Sequence, residues 1–420
     1  MRSRLRLRPP RRAAAPRRAV LQLVLATTSV VAGLGLYELS ASAAGTKVSP
    51  YAWQLPKGYP QPRVPKDNPM NAAKVDVGRW LFYDRRLSGN ATQSCSSCHL
   101  PARAFTDGGA QSVGSTGERT PRSSPTLVNV AYNATFAWAN PGLVSLERQM
   151  EVPLFGTGPT ELGITDANRA KVLKRITDDP VYARWFRRAF PGLKRPITWT
   201  TIIRSIAAFQ RSIVSASSRY DQYLKGKVKL TPAETRGQQL FMGEKAECHH
   251  CHGTFIFNEQ VSYVGVPVER PRFHNTGLYN IGGTGALPEA SQGLFEVTGR
   301  MQDMGRFRAP TLRNIELTAP YMHDGSIPTL EAVIDHYANG GRVITEGPFA
   351  GDGRASPFKD PLIAPIDLSR AERADLVAFL KTLTDRTVAV NPRFADPFRK
   401  RAAAAGRGPA ATGRRAAGGR

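Results

Sequence analysis

Residues 95–99 read Cys-Ser-Ser-Cys-His, and residues 248–252 read Cys-His-His-Cys-His. Both stretches match the Cys-x-x-Cys-His pattern that attaches a c-type haem, in which two thioethers hold the porphyrin and the histidine binds the iron. Two such motifs predict two covalent haems. The predicted attachment residues and proximal ligands are Cys95, Cys98, His99, Cys248, Cys251 and His252.

Zinc binding and thiol redox chemistry are the alternatives for these cysteines. A zinc ribbon needs two Cys pairs about 15–20 residues apart, whereas these pairs begin at residues 95 and 248. In both motifs the second cysteine is followed directly by histidine, which favours haem over a redox pair. The two motifs use all four cysteines of the chain, so none is left for a structural disulfide.

The N-terminus has the composition of an export signal. The first 18 residues contain eight arginines and no acid, residues 19–36 are mostly apolar, and small residues follow at 41–43. We therefore expect a signal peptide over residues 1–44 and a periplasmic protein without a membrane span after cleavage. The alternative is an uncleaved membrane anchor, because the apolar run approaches the length that spans a bilayer.

The C-terminus is rich in Arg, Ala and Gly, which predicts a disordered tail over residues 391–420. The formal net charge of +25 falls to about +10 when the charges of the two termini are set aside. The body has no basic stripe interleaved with aromatic residues, which argues against nucleic-acid binding. A basic rim that attracts an acidic partner or an anionic membrane surface fits this composition better.

Apolar residues in the body recur at helical spacing, and no sustained alternating pattern predicts a sheet. Thr231 and Glu234 form a capping box that starts a helix leading into the second haem motif. The predicted fold is mainly α, with cytochrome c-like haem domains over residues 45–225 and 226–390. Further helices are predicted over residues 71–83, 199–214, 329–337 and 368–383.

Several other motifs, taken in order, resemble those of the bacterial di-haem cytochrome c peroxidase and MauG superfamily. They are LFYD (81–84), AFTDG (104–108), SPTL (124–127), FHNTG (273–277) and APTLRN (309–314). The branch containing MbnH is the most similar, through YAWQLP (51–56), WANP (138–141) and ELG (161–163). The resemblance covers most of residues 50–385 and implies two helical haem domains.

For the first haem, the resemblance implies that Gln149 and Glu161 lie above the iron, where a carboxylate can move a proton of peroxide. Typical di-haem peroxidases carry a loop histidine between His99 and the segment 124–126, and this chain has none there. The resemblance therefore implies an open sixth position at the first iron. The alternative is closure by another side chain.

For the second haem, the resemblance implies Tyr337 as the sixth iron ligand, at a position where the peroxidases use methionine. A phenolate stabilises oxidised iron, whereas a thioether favours reduced iron. The alternative ligands are His336, Met322 and Met304.

Two further roles rest on the resemblance alone. Trp138 matches a tryptophan that relays oxidising equivalents between the haems. A calcium ion is implied near the backbone carbonyls of Thr318 and Pro320, although Ser123 replaces an asparagine that helps to bind it in many relatives.

Together these features favour a periplasmic oxidase that uses hydrogen peroxide to form a high-valent di-haem state. That state would oxidise a tryptophan of an exported partner, which the resemblance implies is a copper-binding protein. One alternative is a detoxifying cytochrome c peroxidase that takes electrons from a small cytochrome or cupredoxin. Another is a non-catalytic electron carrier, which an open first haem argues against.

Overall fold

The computed structural model describes residues 50–267 and 271–399. This part of the chain is mostly helical, as predicted, and contains no helix long and apolar enough to cross a membrane. The predicted export signal or anchor over residues 1–44 lies outside the described residues. So does the part of the predicted tail beyond residue 399.

The predicted helices are confirmed to within a few residues at each end. The α-helices are α1 Ala72–Tyr83, α2 Cys95–Cys98, α3 Leu146–Gln149, α4 Glu151–Phe155, α5 Asp166–Thr177, α6 Pro180–Ala189, α7 Trp199–Arg211, α8 Arg219–Leu224, α9 Pro232–Met242, α10 His249–His252, α11 Phe295–Thr298, α12 Leu330–Ala338, α13 Arg370–Lys381 and α14 Thr387–Val390. Short 3₁₀ helices cover Arg85–Leu87, Pro101–Arg103, Val130–Tyr132, Met301–Asp303, Ile315–Leu317 and Gly353–Ala355. Strands β1 Val343–Ile344 and β2 Gly351–Asp352 form an antiparallel ribbon.

The first hydrophobic core is built around α1 and α7. Asn71 caps α1 by accepting a hydrogen bond from the Lys74 backbone, which satisfies an end of the helix that has no intrahelical partner. Gly78 lets the two helices approach closely, because a Cβ there would lie 1.9 Å from the Ser205 carbonyl oxygen. One turn later, the Phe82 and Phe209 rings meet edge to face at 5.2 Å.

The second core repeats this arrangement with α9 and α13. The predicted capping box is confirmed, since Thr231 and Glu234 exchange hydrogen bonds at the start of α9. A Cβ on Gly237 would lie 1.9 Å from the Asp375 carbonyl oxygen. The Phe241 and Phe379 rings then meet at 5.2 Å.

The two halves also share a Pro-Thr-Leu-x-Asn segment, at residues 125–129 and 310–314. Both asparagines have left-handed backbones, with φ of 57° at Asn129 and 64° at Asn314, and each precedes a 3₁₀ helix. Both side-chain amides donate to Ser215, one to its carbonyl and one to its hydroxyl, each at 2.9 Å. The equivalent segments of the two halves therefore meet at one buried residue.

The predicted disordered tail was wrong over residues 391–399. Phe394 is 3% exposed and packs in the first core, while Arg393 donates hydrogen bonds to the side chains of Tyr51 and Gln54. Composition misled the prediction because two phenylalanines, at 394 and 398, pack against that core amid basic and small residues.

Candidate haem-binding sites

Both motif histidines are oriented by a backbone carbonyl. Nδ1 of His99 lies 2.8 Å from the Phe105 oxygen, and Nδ1 of His252 lies 3.0 Å from the Phe257 oxygen. A histidine that donates from Nδ1 keeps Nε2 free for a metal, as ligating histidines commonly do. Burial lowers the pKa of His99 and brings that of His252 to about 4, so both rings are neutral, as iron ligation requires.

The accepting carbonyls are positioned by an unusual turn in each half. Phe105 and Phe257 have left-handed backbones, with φ of 64° and 55°. The hydroxyl of Thr126 donates to the Ala104 carbonyl at 2.5 Å, and that of Thr311 donates to the Ile256 carbonyl. Each Pro-Thr-Leu segment thus fixes the turn that orients the histidine of its own half.

A cavity of about 530 Å³ lies beside the second motif, within the size range of cofactor pockets. Its lining includes the motif residues Cys248, Cys251 and His252 and residues of the first half from Ser123 to Thr126. Other lining residues that bear on the predictions are Trp138, Arg308, Thr318, Pro320, Met322 and Tyr337.

Tyr337 lies on the wall of this cavity. Burial raises its pKa well above the ordinary value, and Cys248, Cys251 and His252 of the second motif line the same cavity. Among the alternative ligands, Met322 also lines the cavity. Met304 and His336 are buried elsewhere and do not appear among its described lining residues.

A buried positive charge on the cavity wall, as well as the volume of the cavity, suits a haem. Arg308 is 6% exposed, donates to the Ala137 carbonyl at 3.3 Å, and pairs with no carboxylate in the described ranges. Burial lowers its pKa to about 10. A buried cation without a counter-ion is costly, and a haem propionate would supply the missing negative charge.

At the first motif, Cys95 and Cys98 form no disulfide, and neither do Cys248 and Cys251, so all four sulfurs are available for thioether bonds to haem. Burial raises the pKa of Cys95 to about 12 and that of Cys98 to about 11, and the Glu161 carboxylate contributes to both shifts. Glu161 therefore lies within electrostatic range of both sulfurs of the first motif. Burial also raises the pKa of Glu161 to about 6, in the range where a carboxyl can exchange protons near neutral pH.

The loop carrying Glu161 is tightly held. The Glu161 carbonyl accepts a hydrogen bond from Ser115 N at 2.6 Å, and Leu162 N donates to the Pro153 carbonyl at 2.9 Å. The loop packs so closely that a Cβ on Gly114 would lie 1.9 Å from the Thr160 carbonyl oxygen. Gln149, predicted to lie beside Glu161 above the iron, ends α3 and is half-buried.

Trp138 joins the two halves at the cavity wall. Its Nε1 donates to the Ser123 carbonyl at 2.9 Å, and its own carbonyl accepts from Arg308 N at 2.8 Å. Thr106, the residue after the carbonyl that orients His99, lines the same cavity. Trp138 thus lines a cavity whose walls come from both halves of the chain.

Two curated relatives are similar enough to show which family the chain belongs to. The methylamine utilization protein MauG of Methylorubrum extorquens is 33% identical over 339 residues, covering 80% of this chain and 85% of MauG. The cytochrome-c peroxidase IdrP1 of Pseudomonas sp. (strain SCT) is 35% identical over 382 residues, covering 87% and 93% of the two chains.

The chain belongs to the di-haem cytochrome c peroxidase and MauG family. The family model described as di-haem cytochrome c peroxidase matches residues 72–229, and a RoxA-like, cytochrome c-like model matches residues 306–339. The crystal structure of a MauG-like protein associated with microbial copper homeostasis is 57% identical, with a TM-score of 0.82. The match covers 83% of this chain and all of that one. As a member of this family, the protein is a di-haem oxidoreductase of the peroxidase type with haem c cofactors.

Two charged groups beside the second haem site were not predicted from the sequence. One is Arg308. The other is His274, whose Nδ1 and Nε2 lie 2.6 Å from Asp360 and 2.7 Å from Glu259. Although burial lowers the pKa of His274, the neighbouring Cys251 and the two carboxylate partners outweigh this and raise it to about 11. The FHNTG motif contains His274, but its partners are too distant in sequence to be predicted.

Proposed function

We propose that this protein uses hydrogen peroxide to oxidise a tryptophan of an exported partner protein in the periplasm. The observation that carries the proposal is the position of Tyr337, on the wall of the cavity that Cys248, Cys251 and His252 of the second motif also line. A tyrosinate ligand would stabilise oxidised iron, which suits a protein that must hold oxidising equivalents for a large substrate. The 57% identity to a MauG-like protein associated with copper homeostasis supports a copper-binding partner.

Each half of the chain would contribute its own residues. The two cysteines of each motif would hold a haem, and His99 and His252 would bind the irons through the ring nitrogen that faces away from the Phe carbonyl. When bound, the haems supply the electron-transfer chemistry with peroxide. Glu161 would take a proton from the inner peroxide oxygen and return it to the outer one, with Gln149 beside it.

The electrons must then cross the molecule. Reduction of peroxide to two waters consumes two electrons and two protons, and a partner tryptophan that loses two hydrogens supplies both. Trp138 would relay the electrons between the halves, because its indole lies on the cavity wall and is hydrogen-bonded to Ser123.

Other parts of the proposal rest on the sequence. We propose export by the segment 1–44 and haem domains that divide near residue 225. Tyr220, on the first side of that division, nevertheless packs in the second core. A calcium ion bound by the carbonyls of Thr318 and Pro320 is a further proposal, and both residues line the cavity together with Ser123.

The second candidate function is peroxide detoxification with electrons from a small cytochrome or cupredoxin. The 35% identity to a protein named cytochrome-c peroxidase supports it about as well as the 33% identity to MauG supports the first. The two functions differ in the electron donor, so the donor is the quantity to measure.

The test first searches the neighbouring genes for a small exported protein that carries copper-type ligands, and then combines that protein with the purified di-haem protein and peroxide. We expect a tryptophan of that protein to lose two hydrogens or gain oxygen, located by peptide mass spectrometry, and only when peroxide is present. Rapid turnover of reduced cytochrome c, with every neighbouring exported protein unchanged in mass, would replace this proposal by the detoxifying peroxidase.

A further inference from the structure

Three side chains with metal-binding atoms converge just before and within the second haem motif. One carboxylate oxygen each from Glu244 and Glu247 and one ring nitrogen of His250 all lie within 4.8 Å of one another. They occupy the segment between the end of α9 and the motif, and all three residues line the rim of the second haem cavity.

The cluster has no cation to balance its charge. Within residues 50–267 and 271–399, none of these three side chains forms a hydrogen bond or an ion pair. The adjacent Lys245 does not neutralise them, because it pairs with Glu372 instead. The two carboxylates and the imidazole therefore offer unpaired ligand atoms within reach of a single ion.

A second unsatisfied imidazole adjoins the cluster. The ring of His249 lies 4.3 Å from that of His250, measured between centroids. Nδ1 of His249 is buried and has no hydrogen-bond partner in the described part of the chain. The contact between the two rings restricts the orientation of the His250 imidazole beside the two carboxylates.

We propose that Glu244, Glu247 and His250 form a binding site for a divalent transition metal, with Cu²⁺ as the preferred ion. Carboxylate oxygens together with imidazole suit Cu²⁺ and Zn²⁺, whereas Ca²⁺ prefers oxygen ligands alone. Among divalent ions of the first transition row, such a site binds Cu²⁺ most tightly. None of the three residues is a predicted haem ligand, and the proposed metal site does not depend on the proposed oxidation of a partner.

The experiment is a Cu²⁺ titration of the full di-haem protein, in which thioether bonds prevent the cysteines from binding copper. Equilibrium dialysis should find one tightly bound Cu²⁺, with nitrogen hyperfine coupling in its electron paramagnetic resonance spectrum. His250→Ala should remove that coupling, and His250→Ala and Glu247→Gln should each weaken binding at least about tenfold, as loss of a metal-site partner does.

Glu346→Gln is the matched control, because Glu346 is an exposed acid in the turn between β1 and β2, outside the cluster. It should leave Cu²⁺ binding unchanged. Equal Cu²⁺ affinity in the wild type and in both cluster variants would overturn the proposal. Displacement of the bound copper by millimolar Ca²⁺ would also overturn it, since that result would show a site made of carboxylates alone.

Discussion

At the residue scale, Tyr337 and Met322 are the two candidate ligands of the second iron that line the cavity. They differ in charge, because a phenolate is an anion and a thioether is neutral. An anionic oxygen stabilises the oxidised metal and lowers its reduction potential. Which of the two binds therefore determines whether the second haem stores oxidising equivalents.

Tyr337→Phe removes the phenol oxygen while keeping the ring. We expect the ferric spectrum of the second haem to change and its reduction potential to rise, because the anionic ligand is lost. Spectroelectrochemistry measures both quantities. Tyr321→Phe is the control, since Tyr321 lines the same cavity, and it should change neither. A spectrum unaltered by Tyr337→Phe would instead assign the ligand to another side chain.

Glu161 should govern the pH dependence of the reaction with peroxide. Burial raises its pKa to about 6, so the carboxyl is protonated at lower pH and cannot accept a proton from peroxide. The rate should therefore fall as the pH drops through 6. Glu161→Gln should slow the reaction by about 10²–10⁴-fold and abolish this pH step. Stopped-flow rates measured on either side of pH 6 test this, and an unchanged pH profile in the variant would remove Glu161 from proton transfer.

At the scale of elements, each haem motif follows a helix that packs through a glycine against a later helix. Gly237→Ala would place a Cβ 1.9 Å from the Asp375 carbonyl oxygen, so α9 and α13 must separate. We expect a loss of about 1–3 kcal/mol in the free energy of unfolding, as overpacking typically costs. Denaturant unfolding of the di-haem protein measures it.

Gln239→Ala is the control on the same helix, because Gln239 is exposed. It should change the free energy of unfolding by less than about 0.5 kcal/mol, as surface substitutions usually do. Equal stability of the two variants would mean that the close approach at Gly237 does not support the second core.

The helices were predictable because their signals are local. Thr231 and Glu234 are three residues apart, and the capping box they predict forms at the start of α9. The two haem motifs were also predictable, because each lies within five consecutive residues. The turns at Phe105 and Phe257 were not predicted, because a left-handed phenylalanine is set by distant hydrogen bonds and not by its own propensity.

The site was less predictable than the helices because its contacts join distant segments. Trp138 reaches the Ser123 carbonyl and Arg308 N, and the Asn129 and Asn314 amides meet at Ser215. No spacing along the chain encodes such pairs. A comparison of residues 125–129 with 310–314 was the available signal, because the shared Pro-Thr-Leu-x-Asn segment marks the equivalent turns of the two halves.

At the scale of the whole molecule, the two cores are separate clusters and each contacts one haem motif, through Cys95 in the first and Cys248 in the second. Replacing Cys95 and Cys98 by Ala should leave one covalent haem and loosen the first core, since a ligand that binds only the folded state stabilises it. Intact mass and hydrogen exchange measure the two effects. Ser96→Ala, within the same motif, should keep both haems, and a double-Cys variant with unchanged mass would refute attachment there.

The proposed function depends most on electron transfer between the two halves through Trp138. The direct measurement is rapid-freeze spectroscopy of both haems after one equivalent of peroxide. It compares the wild type with Trp138→Phe and with the control Trp199→Phe. The Trp199 indole packs against the first core. We predict that both haem spectra change together in the wild type and in the control. In Trp138→Phe, the first should change and the second should lag strongly. Simultaneous changes at both haems in Trp138→Phe would contradict the account.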